Sequence, residues 1–278
     1  MKLQSRHLVN IVMTLLLGGA TLLVLIPLAI LFTHIVKMGI SSISFDFFTQ
    51  IPKPTGETGG GMANGIGGSA LLIGLASAIG IPVGVLGAVY LSEYGGSRIS
   101  TTIRFSADVL SGIPSIITGM VAYALLVVPM KGFSAFAGSV ALALIMIPII
   151  LRTTEEQLKM VPDSLREAAL ALGIPLWRTT LKVTLRSALT GVITGVLLAI
   201  ARVSGETAPL LFTALGNQFW SASLTQPIAA LPLQIFNFAI SPYEDWHKLA
   251  WAGALVLVTL MFVLSLTARY LGRSRQRR

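Results

Sequence analysis

The chain has 278 residues, of which 54% are hydrophobic and 11% are charged, and its formal net charge is +9. Soluble domains carry about 25% charged residues, so this composition excludes an ordinary soluble enzyme and indicates a membrane protein. The sequence contains no cysteine, which excludes disulfides and thiolate metal sites. Its three histidines lie far apart in the sequence, and we therefore expect no metal site and no cofactor bound by this chain.

Six apolar segments are each long enough to cross the ~30 Å hydrocarbon core of a membrane as a helix. The predicted fold class is an all-α integral membrane protein with six transmembrane helices in a single domain over residues 1–278. The first segment is too long for a secretory signal and no small-x-small cleavage site follows it, so we interpret it as an uncleaved span. The predicted spans are 8–36, 66–91, 107–128, 136–151, 188–211 and 249–271.

The distribution of lysine and arginine predicts how these spans are oriented. Of the 20 basic residues, 15 lie on one side of the predicted spans, four lie on the other side, and Arg202 lies within a span. In membrane proteins the cytoplasmic loops carry the excess of basic residues. We therefore expect both termini and a loop at 152–187 in the cytoplasm, with outer loops at 37–65 and 212–248.

Two features of the spans and loops allow more than one interpretation. The outer loop 212–248 is too apolar for a solvated linker, so it holds either a short interfacial helix or gate, or an aromatic belt resting on the headgroups.

Glycine and proline are frequent in the second and third spans, where small residues such as Gly80 and Gly84 allow helices to pack closely. The alternative is a mobile kink at Pro82 or Pro114.

The loop 152–187 carries the signals of a helix that ends sharply. Ser164, with Glu167 three residues later, predicts a capping box that starts the helix. Gly173 followed by Pro175 predicts its end, and a second short helix is expected to begin near Pro175. The helix would expose a small-residue docking surface, or else rest on lipid as an amphipathic helix. Its predicted apolar stripe consists of Leu165, Ala168, Ala169 and Leu172.

Residues 167–173, Glu-Ala-Ala-Leu-Ala-Leu-Gly, resemble the Glu-Ala-Ala loop in the permease subunits of binding-protein-dependent ABC importers. In that family the glycine is followed after nine residues by Ile-x-Leu-Pro, where this chain has Val-Thr-Leu-Arg at 183–186. The resemblance implies the fold of a type I importer permease, coupled through this loop to a separate ATPase. Because the chain has no Gly-x4-Gly-Lys-Ser/Thr phosphate loop, we expect no enzymatic activity, and ATP-Mg would be used by the ATPase. The implied coupling residues are Ser164, Glu167, Ala168, Ala169 and Gly173.

Three further stretches, 59–66, 108–115 and 201–211, resemble the phosphate-specific importers of that family, and within them the A-type of two permease subunits. The resemblance implies transport of inorganic phosphate across a bacterial or archaeal inner membrane. It also implies three partners: a C-type sister permease, an ATPase dimer, and a periplasmic or lipid-anchored phosphate-binding protein. The alternatives are a permease for another oxyanion, such as sulfate or molybdate, and a passive or ion-coupled anion transporter.

Arg202 and Glu206 are the main candidate residues of the transport path. A charge near mid-membrane costs about 2.5–3.5 kcal/mol on insertion scales, and such residues usually face the bundle interior. Because Glu206 follows Arg202 by four residues, we expect both on one helix face. They form either a permanent structural ion pair or a transient anion contact whose charge Glu206 holds in check. Thr207 is expected to offer a hydroxyl to the anion, and Pro209 to bend the path. Arg152, at the end of the fourth span, serves either topology or the inner mouth of the path.

Overall fold

The computed structural model describes residues 2–57 and 59–273, and these residues are mostly helical. Within them there is no β-strand, and the extended segments contribute only two isolated bridges. The predicted all-α class is therefore confirmed. The helices are α1 (Lys2–Ile40), α2 (Phe45–Thr49), α3 (Ala63–Glu93), α4 (Arg98–Gly112), α5 (Ser115–Ala122), α6 (Val128–Met130), α7 (Ala135–Lys159), α8 (Asp163–Ala171), α9 (Leu176–Thr179), α10 (Leu185–Ser204), α11 (Ala208–Thr213), α12 (Leu231–Ala239) and α13 (Glu244–Arg273), with π-helical turns at Tyr123–Val127 and Thr180–Thr184.

Five helical stretches of the described chain are long and apolar enough to cross a membrane, and the number rises to six if the bent pair of helices Arg98–Gly112 and Ser115–Met130 is counted as one span. The fourth predicted span is longer than expected, because α7 continues to Lys159 and the residues 152–159 are helix rather than loop. Of the basic residues used to predict orientation, Arg275, Arg277 and Arg278 lie outside the described residues. The five stretches are Arg6–Ile40, Ala63–Glu93, Ala135–Lys159, Leu176–Ser204 and Glu244–Gly272.

The prediction of one continuous third span at 107–128 is wrong. α4 ends at Gly112, and the helical stretch Ser115–Met130 leaves it at an angle of 109°. Ile113 has an extended backbone with φ −76° and ψ 131°, as is favoured for a residue that precedes proline. Pro114 therefore breaks the span, and α4 becomes a separate amphipathic arm.

The centre of the bundle is the contact between α3 and α7. A Cβ added at Gly84 would lie 2.8 Å from the Cβ of Ile150, so only glycine permits this approach. Such close packing stabilises helix pairs in lipid, where the hydrophobic effect is absent. Pro82 lies inside the uninterrupted α3, so close packing, and not a break in the helix, describes this region. The core residues of the two helices include Leu72, Ala76, Leu142, Met146 and Ile150.

The fifth predicted span, 188–211, is also not one helix. α10 ends at Ser204, the chain is non-helical from Gly205 to Thr207, and α11 begins at Ala208. Pro209 falls in the first turn of α11, where the missing N–H of proline is tolerated. The predicted disruption is present, but it lies just ahead of the proline.

The loop between α11 and α12 folds back into the bundle. Ile228 and Ala229 are buried, and a Cβ added at Gly68 of α3 would overlap the carbonyl oxygen of Ala229. The side-chain amide of Asn64 donates a hydrogen bond of 3.1 Å to the carbonyl of Asn217. The expected short helix is present as α12, and Phe219 and Trp220 of the same loop are exposed.

Candidate transport path and coupling surface

Arg202 lies in the last turn of α10, and its guanidinium Nη1 forms an ion pair with the carboxylate Oε1 of Glu206. The expected pairing is present, but the geometry differs from the one predicted. Glu206 lies beyond the end of the helix, which Gly205 caps, so the pair spans a helix end instead of sharing a continuous helix face.

The two members of this pair differ sharply in exposure. The Glu206 side chain is 8% exposed and the Arg202 side chain is 59% exposed. Glu206 is the one partner of Arg202 among the described residues, whereas a guanidinium carries five N–H donors. The arrangement therefore holds the carboxylate in the protein and leaves most of the guanidinium donors open to a second anion.

Packing contacts place this pair alongside the middle of the bundle. Gly195 of α10 lies against Thr153 of α7, whereas Gly138, near the start of α7, lies against Leu210 of α11. The non-helical turn 205–207 falls between these two levels, next to the middle of α7. Irregular backbone at membrane depth is tolerated only where it is buried in protein or lines a polar cavity, so this turn is a suitable place for a polar path.

Thr207 lies at this turn, immediately before α11. Its side chain is half-buried and does not cap the helix that follows. The hydroxyl can therefore donate to a bound anion without giving up a capping hydrogen bond. The predicted contribution of Thr207 is compatible with this geometry.

Arg152 does not join Arg202 in one site. Arg152 adjoins Thr153, which lies against Gly195, and Arg202 follows Gly195 by seven residues. At 1.5 Å per residue this separates the two arginines by about 10 Å along the bundle. Arg152 contacts Asp108 of α4 instead, with Nε to Oδ1 at 3.0 Å and a second nitrogen on Oδ2.

A buried carboxylate next to Arg152 was not singled out by the sequence. Glu155 is 2% exposed and pairs with Arg104 of α4 at 2.8 Å and with Lys159 at 2.7 Å. Arg152 also approaches it, at 3.6 Å. The spacings of four residues between Arg104 and Asp108, and between Glu155 and Lys159, were visible signals of such a cluster.

The predicted coupling helix is present as α8, but its start differs from the capping box that was expected. The N-cap is Pro162 and the helix begins at Asp163, so Ser164 lies inside the first turn and makes no capping hydrogen bond. Ser164, Glu167 and Ala168 are exposed, whereas Ala169 is buried. Of the two alanines that were expected on an exposed stripe, only Ala168 is therefore accessible.

The end of α8 has the predicted geometry. Gly173 has a φ of +75°, its N–H bonds to the carbonyl of Leu170 at 2.9 Å, and the N–H of Ile174 bonds to the carbonyl of Ala169 at 3.2 Å. These two bonds form a Schellman motif, which favours glycine at the left-handed position. After it, α9 begins at Leu176 as expected, and the helix continues to Ser204 without a bend at Arg186.

Arg166 anchors this coupling helix to the spans, and sequence reasoning missed it. Its side chain is 18% exposed and pairs with the buried Glu93 at the end of α3 at 3.1 Å. It also donates to the carbonyls of Leu158 and Val161, each at 2.9 Å. Since Glu93 and Arg166 are 73 residues apart, no local pattern reveals this contact. Arg166 therefore ties α8 to the end of α3 and to the end of α7.

These features together define the membrane subunit of a transporter, with a polar turn inside the bundle and an anchored docking helix beside it. The chain belongs to the family of binding-protein-dependent transport system inner membrane components, whose family model matches residues 80–277.

Several curated relatives carry the same description, phosphate transport system permease protein PstA. The protein from Yersinia pestis is 49% identical over 241 residues, covering 86% of this chain and 81% of the relative. The protein from Haemophilus influenzae is 47% identical over 241 residues, covering 86% of this chain and 85% of the relative. The protein from Mycobacterium leprae is 38% identical over 274 residues, covering 94% of this chain and 88% of the relative.

A solved structure shows the same fold. The MetNI methionine ABC transporter in an inward-facing conformation matches with a TM-score of 0.60 and 21% identity, covering 77% of this chain and 96% of that chain. This similarity confirms the predicted importer permease fold.

Proposed function

We propose that this chain is the permease subunit that forms, together with a sister permease, the path for inorganic phosphate in an ATP-driven importer. The observation that carries the proposal is the exposed guanidinium of Arg202, held next to the buried carboxylate of Glu206 at a turn in the middle of the bundle. The relatives described as phosphate permeases, at up to 49% identity, support phosphate as the substrate.

The chemistry of the pair suits an anion that must be bound and then released. An oxyanion approaching the turn can use the free donors of Arg202 and the hydroxyl of Thr207. A guanidinium acting alone can hold a phosphate bidentately and strongly. Because Glu206 already neutralises much of the charge, the anion is attracted but is not trapped.

The energy for transport comes from a separate ATPase subunit, which binds and hydrolyses ATP-Mg. Its groove receives the exposed face of α8, which carries Ser164, Glu167 and Ala168. The ion pair between Arg166 and Glu93 then conveys the closing motion of the ATPase to α3. Because the ATPase is a cytoplasmic subunit, α8 lies in the cytoplasm together with both termini. An external binding protein delivers phosphate to the opposite side of the membrane.

The test is phosphate uptake by the assembled complex of both permeases and the ATPase, reconstituted in liposomes with the binding protein outside. Arg202→Gln is expected to abolish ATP-driven uptake, by on the order of 100-fold or more, while the complex still copurifies with the ATPase. Lys248→Gln, which removes an exposed cation from the outer end of α13, is the matched control. Loss of the assembled complex in Arg202→Gln would instead assign the pair a structural role.

The same liposomes separate the alternatives. Sulfate or molybdate that replaces phosphate as the transported anion would favour a permease for another oxyanion. Uptake that persists without ATP or without the ATPase subunit would favour a passive or ion-coupled transporter. The anchored docking helix argues against this second alternative, because a self-sufficient channel has no need of it.

A further inference from the structure

The amphipathic arm α4 is attached to α7 by two ion pairs. In one pair α4 supplies the cation, and in the other it supplies the anion. Arg104 of α4 pairs with Glu155 of α7 at 2.8 Å. One turn further on, Asp108 of α4 pairs with Arg152 of α7, at 3.0 Å for the Nε contact. The apolar contact between them is small: Ala107 is buried against Leu151 and its neighbours. The two pairs therefore decide how the arm is held.

The two ion pairs differ in how easily they can exchange. Glu155 is 2% exposed and is shared with Lys159, and Arg104 also donates to the carbonyl of Leu91 at 2.9 Å. In the other pair, Asp108 is 60% exposed and Arg152 is 33% exposed. The first pair is a fixed anchor, whereas the second faces solvent or another subunit and can be replaced.

The Asp108 carboxylate binds the Arg152 guanidinium at two points, as the oxygens of an oxyanion would. Both carboxylate oxygens contact the guanidinium, one on Nε and one on a terminal nitrogen. Carboxylate and phosphate oxygens fit the same fork of donors. Displacement of one by the other therefore requires no change in the arginine side chain.

The charge of the surrounding cluster is consistent with such an exchange. Three cations, Arg104, Arg152 and Lys159, face the two carboxylates Glu155 and Asp108. When Asp108 swings away, the excess of positive charge is two, which matches the charge of a hydrogen phosphate dianion. When Asp108 returns, the excess falls to one, and the anion is released.

We propose that Asp108 is a tethered counter-anion: it occupies Arg152 between transport events and is displaced by the oxyanion on its way to the cytosol. This inference rests on the proposed function and on the orientation given there. The exchange needs only a rotation of the exposed Asp108 side chain, because Arg104 keeps α4 anchored to α7 throughout. Asp108 is thus a positioning residue that keeps the inner mouth from retaining its cargo.

The experiment measures how phosphate inside the liposomes inhibits ATP-driven uptake by the reconstituted complex. Asp108→Asn removes the competing charge at nearly constant size, so phosphate at Arg152 should be released more slowly. We expect the half-inhibitory internal phosphate concentration to fall at least threefold. Asp108→Glu, which keeps the carboxylate, should stay close to the unmodified protein. Asp245→Asn, which disrupts an exposed ion pair at the other end of the bundle, should leave the value unchanged.

A double variant identifies the residue on which Asp108 acts. In Asp108→Asn/Arg152→Gln the added sensitivity to internal phosphate should disappear, because no guanidinium is left to bind it. Sulfate inside the liposomes serves as a second oxyanion. Its half-inhibitory concentration should also be lower in Asp108→Asn than in the unmodified protein.

Two outcomes would overturn the proposal. An unchanged half-inhibitory concentration in Asp108→Asn would show that no anion competes with Asp108. Failure of Asp108→Asn to assemble, while Asp108→Glu assembles, would show that the carboxylate is only a structural clasp. Neither outcome depends on Arg202, whose own variant tests the proposed function, so the two failures can be told apart.

Discussion

Arg202 and Arg166 are each paired with a buried glutamate, yet they are suited to opposite tasks. Arg202 is 59% exposed and has Glu206 as its one partner among the described residues. Arg166 is 18% exposed, pairs with Glu93, and uses other donors of its two terminal nitrogens on further groups. Those groups are the Asp163 carboxylate and the carbonyls of Leu158 and Val161.

The unused donors of these two arginines, more than their ion pairs, distinguish their roles. Glu206 and Glu93 are both nearly inaccessible, with side chains 8% and 3% exposed, and a buried carboxylate requires a cation. An arginine whose two terminal nitrogens are each engaged with several groups holds elements in place. An arginine with free donors on an exposed side can receive another anion.

The largest expected effect on stability is that of Arg166→Gln. It leaves Glu93 charged and buried without its cation, a change that typically costs about 3–5 kcal/mol. We expect a clear drop in the thermal midpoint of the assembled complex and fewer phosphate ions transported per ATP hydrolysed. Glu93→Gln should cost less, because Arg166 keeps its carbonyl contacts and Asp163. A normal midpoint and normal coupling in Arg166→Gln would contradict the anchoring role.

Glu206→Gln is expected to have the next largest effect, and it acts on rate instead of stability. Without its counter-charge Arg202 should hold the anion more tightly, and about 1.4 kcal/mol of added affinity corresponds to about tenfold slower release. The maximal uptake rate in liposomes should therefore fall while phosphate stays bound to the complex for longer. If the variant fails to assemble, the pair is structural, and the contrast with Arg166 disappears.

Gly173→Ala should cost about 1 kcal/mol, because its φ of +75° is unfavourable for a residue with a Cβ. This variant leaves Arg166 untouched and perturbs only the end of α8. We expect a small decrease in coupling ratio with normal phosphate binding. Gly96→Ala is the control, since a Cβ there meets open space and φ is not positive. An equal loss in both variants would show that the Schellman motif is not the cause.

The smallest effect is expected for Lys248→Gln. This lysine pairs with Asp245 at 3.0 Å, and the two side chains are 61% and 40% exposed. Exposed ion pairs contribute about 0–1 kcal/mol, so the thermal midpoint and the uptake rate should stay within error of the unmodified protein. A decrease as large as that of Arg166→Gln would mean that exposure does not decide how much an ion pair contributes to stability.

The coupling helix shows how far local signals reach. Gly173 was predicted correctly, because its conformation depends on neighbours within a few residues. The capping box at Ser164 was wrong: the helix starts at Asp163, whose carboxylate is itself favourable in the first turn. The burial of Ala169 followed from no signal within the helix, since the packing of its neighbours decides which side of a short helix is covered.

The spans show the same limit. Apolar length predicted that each segment lies in the membrane, because the cost of exposing it to water depends only on composition. It did not predict that Pro114 breaks its span while Pro82 leaves α3 intact. Neighbouring helices can accommodate a proline in one helix and not in another.

The sequence by itself determined the class of the protein, its all-α membrane fold, the glycine-capped end of α8 and the pairing of Arg202 with Glu206. These follow from composition and from spacings of a few residues, which act over short distances. Only the tertiary structure decided that Glu206 is buried while Arg202 is exposed, that Glu93 meets Arg166, and that Asp108 occupies Arg152. Burial and long-range ion pairs depend on which helix faces are brought together, and that is a property of the whole packed bundle.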